Sequence, residues 1–411
     1  MVQSVIVIGA GITGVATAEW LRRAGVAVTL VDRIEPGAPE QASYGNAGLL
    51  ARCAVVPTAE PGLLGKVPKM LLSSDAPLFL RWRYLPRLLP WLVPFLKNSR
   101  PQRMAAISQT LAVLTGDSVD QHLALAAGTP AENYIKTGDY MFYYRDKSAF
   151  EHDSLSTQMR RKLGFDYEEL DRATLTKLDP KLSERYQYAT RFTDHGWLSS
   201  PADYVAALAD FFVQSGGKFV SGEVAAIEGN SVKLHDGQVL QADKIVLAAG
   251  AWSASLARKL GQRPFLESER GYHLFLKNPS YMPSCPFMVT DAKFVVTPMR
   301  DGLRCAGIVE FAGLNAPASD APIRLLKKRI REVYPDLTWQ SEETWMGHRP
   351  STPDSLPHLG PIKTAPNVIC AYGSQHLGIT IGPRLGRMAA DIVLGKKVNM
   401  DISALDPDRF A

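Results

Sequence analysis

The chain has 411 residues, 46% of them hydrophobic and 21% charged, with a formal net charge of +5 at neutral pH. That length accommodates two cores. The modest charge, with no basic stripe interleaved with aromatics, argues against nucleic acid as a partner. Cys53, Cys285, Cys305 and Cys370 stand far apart with no C-x-x-C pair, which excludes a zinc site and a disulfide framework as expectations and points to a reducing compartment.

In chain order, residues 4–9 read as a buried strand, 12–25 as a helix ending at Gly25, and 26–32 as a second strand, a βαβ unit. The glycine motif between them begins by residue 9, so no secretory signal is expected ahead of it. Gly9, Gly11 and Gly14 have G-x-G-x-x-G spacing, and Asp32 closes the next strand where a ribose-binding carboxylate is expected. Gly9 permits the tight turn, Gly11 lets a pyrophosphate approach the backbone, and Gly14 lets helix and strand pack closely. The helix N-terminus adds free N–H groups and positive potential. The ligand these residues predict is a dinucleotide, nicotinamide or flavin. The following "DRIEPGAPEQASYGNAGLL", rich in small residues, suits packing around a large flat ring.

Between Leu63 and Arg103 stand eight Lys/Arg residues against one acid, Asp75. Within that stretch, residues 77–97 mix Trp82, Tyr84 and Trp91 with leucines and arginines, the composition of a lid or of a segment lying in a membrane interface. Arg81, Arg83 and Arg87 interrupt the ~20 apolar residues that a membrane span needs. Pro86, Pro90 and Pro94 predict short helices or an irregular lid rather than one rod.

Residues 102–126 carry apolar positions at helical spacing, and 135–145 and 286–311 read as strands, together a separate α+β domain. From "SPADYVAALADFF" onward the pattern is helix, strand, hairpin at Asp236 and Gly237, then the strand "KIVLAAG". The C-terminal "NVICAYGSQHLGITIG" reads as strand, glycine turn and helix, whose N-terminus would face an anionic reduced ring.

The segments "VIVIGAGITGVATA", "ASYGNAGLL", "VLAAGAWS", "RGYHL", "WMGHRPSTPDSLPHLG" and "GSQHLG", with the closing "DPDRF", resemble the FAD-dependent D-amino-acid oxidase-like superfamily, most closely bacterial D-amino-acid dehydrogenases. The resemblance implies an α/β Rossmann-like FAD-binding domain, 1–60, 195–255 and 340–411, and a second α+β substrate domain, 61–194 and 256–339. It implies non-covalent FAD held by Gly9, Gly11, Ile12, Thr13 and Gly14, by Asp32 and Arg33 at the ribose, and by Ser43, Asn46, Ala47, Gly48 and Leu49 along the flavin. Val224 would contact adenine, and Ala249, Gly250 and Trp252 would border the same nucleotide. Gly347, His376, Leu377, Gly378, Ile379 and Thr380 would complete the ring's surroundings. No metal is expected.

Oxidation of an amino acid at Cα sends a hydride to the flavin N5, and the protein must present the Cα–H and fix the carboxylate. A bidentate arginine does the latter. By resemblance that residue is Arg349, with a structural pairing to Asp354 as the alternative. Tyr272 would bond the same carboxylate, and His348 and His376 lie beside the flavin as candidates for proton transfer. Related glycine oxidases carry a further arginine in a P-R-x-x-G-like segment. Here "VVTPMRDGLRCAG" places Met299 or Arg300 there, which argues against glycine or sarcosine as substrate.

The activity so implied is oxidative deamination of D-amino acids to 2-oxo acids and ammonia through an imino acid, with electrons passed to a quinone or similar acceptor. Residues 77–97 would dock peripherally on the cytoplasmic face of the membrane. The alternatives are a D-proline or hydroxy-D-proline dehydrogenase and, in another class, a non-catalytic membrane-associated flavin-binding protein.

Overall fold

The computed structural model describes residues 2–62 and 77–410. Residues 63–76 of the expected substrate domain therefore lie outside the described residues.

The apolar run Ser4–Ile8 is the buried centre of a six-stranded sheet. It pairs in parallel with Ala27–Asp32 on one side and Lys244–Leu247 on the other. Lys218–Ser221 extends the first side and Ala365–Tyr372 the second, both parallel, and His358–Ile362 closes the edge antiparallel. The helix Ile12–Arg23 follows the first strand and ends where Gly25 takes φ +81°. It lies against the C-terminal helix Gly378–Val393 at contact distance. A Cβ at Gly382 would stand 2.7 Å from Ile12, and one at Gly386 the same distance from the Ala16 Cβ, so glycines at these places set how near the two helices approach.

The second sheet has ten strands, with Ser341–Ser351 next to Glu267–Lys277, then Gly302–Phe311, Phe294–Met299, Phe287–Val289, Ile135–Tyr144, Tyr188–Leu198 and Leu49–Leu50, while Leu78–Leu80 pairs with Gly302–Phe311 and Glu168–Asp171 with Tyr188–Leu198. A smaller antiparallel sheet carries the expected hairpin, with Gly237 at φ +93° between Ser231–Leu234 and Val239–Gln241. The architecture is a Rossmann-like α/β layer beside a large mixed sheet, as the sequence predicts.

Several boundaries differ from expectation. Ser341–Ser351 and Tyr188–Leu198 belong wholly to the ten-stranded sheet, so the expected cut at 195 divides one of its strands and the cut at 340 assigns another to the nucleotide-binding domain. The expected helix over 102–126 is two helices, Pro101–Thr115 and Ser118–Ala126, parted around Gly116. Their Ile107, Leu111, Leu114, Val119 and Leu125 share a core with Val5, Val7 and Leu385, so this pair packs on the nucleotide layer.

The proline-rich segment also differs. Trp82–Tyr84 forms a short 3-10 turn, and Leu85–Asn98 is one continuous 14-residue helix containing Pro90 and Pro94. Proline removes a backbone donor and costs ~3 kcal/mol in a helix interior. Spaced four apart, however, the prolines fall on one face. The carbonyls they leave free at residues 86 and 90 belong to exposed positions, where water bonds them. The opposite face is anchored: Leu88 and Trp91 are buried, Trp91 Nε1 donates to the Ser351 carbonyl (2.9 Å), and Asn98 Nδ2 donates to the Pro353 carbonyl (3.1 Å). Among the described residues no helix is long and apolar enough to cross a membrane.

Candidate active site

A cavity of about 520 Å³ opens at the carboxyl ends of the five parallel strands of the six-stranded sheet and continues to the face of the ten-stranded sheet. The expected cofactor residues line it, except Gly14, Gly48 and Gly347. Those three serve packing. A Cβ at Gly14 would stand 1.7 Å from the Gly9 carbonyl oxygen, one at Gly48 would stand 2.9 Å from that of Leu198, and one at Gly347 would overlap the Trp345 ring at 2.0 Å.

Gly9 and Gly11 have different reasons to be glycine. Gly9 takes φ +105° and its Cβ would meet the Ala248 carbonyl oxygen at 2.4 Å, so the turn itself requires it. Gly11 has an ordinary extended backbone, φ −72°, and its Cβ would meet only Ser43 Oγ at 3.4 Å. Nothing in the protein excludes a side chain there. The space is open to the cavity, as it is at Gly378. A cradle that side chains are kept out of without steric need within the chain fits a bound dinucleotide.

The electrostatics agree with that ligand. Neither the helix Ile12–Arg23 nor Gly378–Val393 has a capping side chain on its N-cap residue or an acid in its first turn, although Ser43 Oγ accepts from the Ile12 N–H (3.2 Å). Both N-termini border the cavity, an arrangement that favours pyrophosphate at one and an anionic ring at the other. Asp32 Oδ2 accepts from the Ala10 N–H (2.7 Å) and Oδ1 from the Ile34 N–H (3.3 Å), which orients the carboxylate at the cavity wall. Burial pushes its pKa up, against the pull of those N–H groups. Arg33 lies over the Trp252 ring, 4.4 Å from its centroid.

The flavin-side loop around Asn46 is held from several directions. His273 Nδ1 bonds the Gly45 carbonyl (3.0 Å), and Arg304 Nη1 donates to the carbonyls of Tyr44 (3.0 Å) and Asn46 (2.6 Å). Asn46 Nδ2 donates to the His376 carbonyl (3.3 Å), and Thr380 Oγ1 to that of Leu49 (2.8 Å). Trp345 stacks on His273 and fills the space left by Gly45, where a Cβ would stand 2.0 Å from the indole. Arg304, His273 and Trp345 are not legible as site residues in the sequence, because their contacts are to main-chain carbonyls and to absent side chains. Met299 and Arg300, the candidates for a second carboxylate arginine, do not line the cavity: Met299 is buried against Gly48 and Arg300 pairs with Asp203 and Asp301. The arginine of this segment that faces the flavin loop is Arg304.

Arg349 does line the cavity, and its partner is not Asp354. Asp354 is engaged by Arg409 of the closing "DPDRF" (2.7 and 3.0 Å). Arg349 Nη1 instead donates to Glu269 Oε1 (2.9 Å), directly across the strand pair, and Ser351 Oγ donates to Glu269 Oε2 (2.9 Å). Glu269 carries no recognisable motif, and only strand register shows its role.

Tyr272 is placed otherwise than expected. Its hydroxyl donates to Glu310 Oε2 (2.6 Å) and accepts from the Ser319 N–H (2.9 Å), beside the Arg270–Glu310 ion pair (2.9 Å). The neighbouring positions Glu269 and Gly271 face Arg349, so Tyr272, though its body borders the cavity, turns its hydroxyl into a buried ionic network. His348 Nδ1 bonds Ser268 Oγ (2.7 Å), and burial, with Arg270 and Arg33 nearby, pushes its pKa down to about 4. His376 is exposed toward the cavity, and desolvation by the surrounding cavity wall lowers its pKa, with Glu269 pulling the other way and Arg349 reinforcing it. The His348 imidazole is neutral at neutral pH.

Comparison with known proteins agrees with this geometry. The family model described as "DAO: FAD dependent oxidoreductase" matches residues 4–392. A D-amino-acid oxidase of Bradyrhizobium diazoefficiens is 35% identical over 99% of both chains. A D-amino acid dehydrogenase of Paramagnetospirillum magneticum is 32% identical, again over 99% of each. Among solved structures, glycine oxidase from Geobacillus kaustophilus superposes with a TM-score of 0.73 at 20% identity, covering 99% of both chains, a likeness of fold. The family match runs from the first strand into the last turn of the C-terminal helix, leaving neither sheet outside it, and the chain belongs to the DAO family of FAD-dependent oxidoreductases.

Proposed function

We propose that this flavoenzyme oxidises D-amino acids to imino acids, which water then hydrolyses to 2-oxo acids and ammonia. The observation that carries the reading is Arg349, oriented by Glu269 and open to the same cavity as the dinucleotide cradle. Two full-length relatives named for D-amino acids support the substrate class. FAD supplies the hydride acceptor.

The chain's own residues bind and orient. Arg349 receives the substrate carboxylate with the donors that Glu269 does not occupy, a charge-assisted bond of fixed direction. The main-chain clamp on residues 44–49 keeps the flavin-side wall rigid. Anaerobic addition of D- and L-amino acids to the purified yellow protein, read by loss of the oxidised flavin band, tests the assignment.

For the electron acceptor we propose a quinone reached from the cytoplasmic face of the membrane. What supports it is the outer face of the proline-rich segment. Trp82, Leu89 and Val93 are 58%, 47% and 49% exposed. They stand among exposed Arg83, Arg87, Lys97, Arg100 and Arg103, with no acid anywhere in 77–103. Apolar anchors ringed by cations match an anionic bilayer surface. Arg81 takes no part, because it turns inward to Glu310 (3.3 Å).

A further inference from the structure

The cavity that Arg349 lines is also lined by Cys53, Tyr140, Phe142 and Arg160. Arg160 stands on the helix Ser154–Lys162 and is 9% exposed. Its Nε donates to the Cys53 carbonyl (3.3 Å), and its guanidinium lies over the Phe142 ring, 4.7 Å from the centroid. Its Nη1 is buried without a hydrogen-bond partner. Of the other buried arginines, Arg270 pairs with Glu310 and Arg304 donates to two carbonyls without an ion pair; the half-buried Arg349 and Arg409 pair with Glu269 and Asp354.

Arg160 forms no ion pair with any described residue. Asp153 borders the same end of the cavity, but its carboxylate accepts from the Tyr144 hydroxyl (3.2 Å) and lies beyond ion-pair distance of Arg160. His195, whose Nε2 accepts from the Cys53 N–H, is held neutral, its pKa pushed down to about 4 by burial first and by Arg52 and Arg160 in addition. A buried cation without a counter-charge is unfavourable in the free protein. An anion delivered by a ligand reverses that, because the bond it forms is charge-assisted and shielded from water.

We propose that Arg160 anchors an anionic side chain of the substrate, so that the preferred substrates are acidic D-amino acids whose α-carboxylate sits on Arg349 and whose distal carboxylate sits on Arg160. This rests on the reading of the cavity as a D-amino-acid site. Phe142 lies under the guanidinium plane and Arg160 lines the cavity, so a carboxylate in the cavity meets a cation that no protein carboxylate neutralises. Neutral side chains of the same length fill the same volume but leave the cation uncompensated, so the discrimination is electrostatic rather than steric.

The experiment compares D-glutamate with D-glutamine and D-aspartate with D-asparagine on holoenzyme, using an artificial dye acceptor, in the unaltered protein and in Arg160→Gln and Arg160→Lys. The unaltered protein should favour at least one acid over its amide by ~10-fold or more in kcat/KM, the scale of one charged hydrogen bond. Arg160→Gln should abolish that ratio while retaining flavin and turnover of the amide, and Arg160→Lys should restore part of it. Equal kcat/KM for acid and amide in the unaltered protein overturns the proposal whatever the variants do. So does a variant that slows acids and amides in equal proportion, the mark of a structural role. If other D-amino acids bleach the flavin and the acidic ones show no advantage, the side-chain assignment alone fails. If no D-amino acid bleaches it, the underlying reading fails and takes this one with it.

Discussion

The guanidinium of Arg349 lies in the space that a side chain at residue 271 would fill: a Cβ at Gly271 would stand 2.5 Å from Arg349 Nε and 2.6 Å from its Cζ. Gly271 and Glu269 face the same way on one strand, and together they fix the arginine. The glycine leaves room for the fork and the acid holds one of its nitrogens.

Gly271→Ala should therefore push the guanidinium off its position without disturbing the sheet, since the displaced atoms are the end of a flexible side chain. We expect the flavin content and the unfolding midpoint to stay near those of the parent. The KM for D-amino acids should rise by ~10-fold or more, the worth of a charged hydrogen bond. Unchanged steady-state constants would show that the substrate carboxylate does not depend on this geometry.

Gly11 and Gly14 should separate ligand binding from folding. Gly11→Val puts a side chain into open cavity next to Ser43 Oγ alone, so the flavin-free protein should keep its unfolding free energy within the ~0.5 kcal/mol usual for uninvolved sites and purify colourless. Gly14→Ala drives a Cβ to 1.7 Å from a backbone oxygen and should destabilise the fold itself. The ratio of flavin to protein absorbance, read beside denaturant unfolding, checks both. A yellow Gly11→Val protein contradicts the cradle.

The pH dependence of stability should carry the mark of His122. Its Nδ1 bonds the Tyr204 hydroxyl (2.9 Å) and its Nε2 the Ile379 carbonyl (2.8 Å) at the start of the C-terminal helix, and burial pushes its pKa down to about 4. In the unfolded chain it titrates near ~6.5. Between those values the unfolded state binds the extra proton, so this contribution is complete above ~6.5 and is lost as pH falls toward 4. His122→Gln should flatten the slope of unfolding free energy in that window by up to ~1.4 kcal/mol per pH unit. An unchanged slope from urea titrations between those limits would mean that His122 is not held neutral by the fold.

Replacing Trp82, Leu89 and Val93 together by serine should leave dye-linked D-amino-acid oxidation unchanged, because these side chains face outward. It should abolish co-sedimentation with anionic vesicles and slow reduction of membrane quinone analogues. Vesicle binding by the parent should also weaken with salt, given the surrounding cations. If the parent ignores anionic vesicles at low salt, the segment is a lid only.

The parts legible in the sequence are those in which one residue type answers one local demand. The glycines at 9, 11 and 14 and the acid at 32 report backbone geometry and a strand end, and both show in the one-dimensional pattern. Glu269, Arg304 and Arg160 do not, because their meaning depends on what lies across a strand pair or a cavity wall. The single helix over Leu85–Asn98 was illegible for a related reason. The proline count predicts breaks, whereas Trp91 bonded to Ser351 and prolines aligned on a wet face decide for continuity. Tyr272 misleads similarly: the motif suggests a substrate hydroxyl, and the buried Glu310 claims it.

The most direct test of the central claim is anaerobic mixing of the purified flavoprotein with paired D- and L-amino acids while the oxidised flavin band is followed. The account predicts stoichiometric bleaching by D-enantiomers, with the matching 2-oxo acid and ammonia recovered, no bleaching by L-enantiomers, and loss of the response in Arg349→Lys with flavin retained. Bleaching by L-enantiomers, or a band that no D-amino acid diminishes, would contradict it.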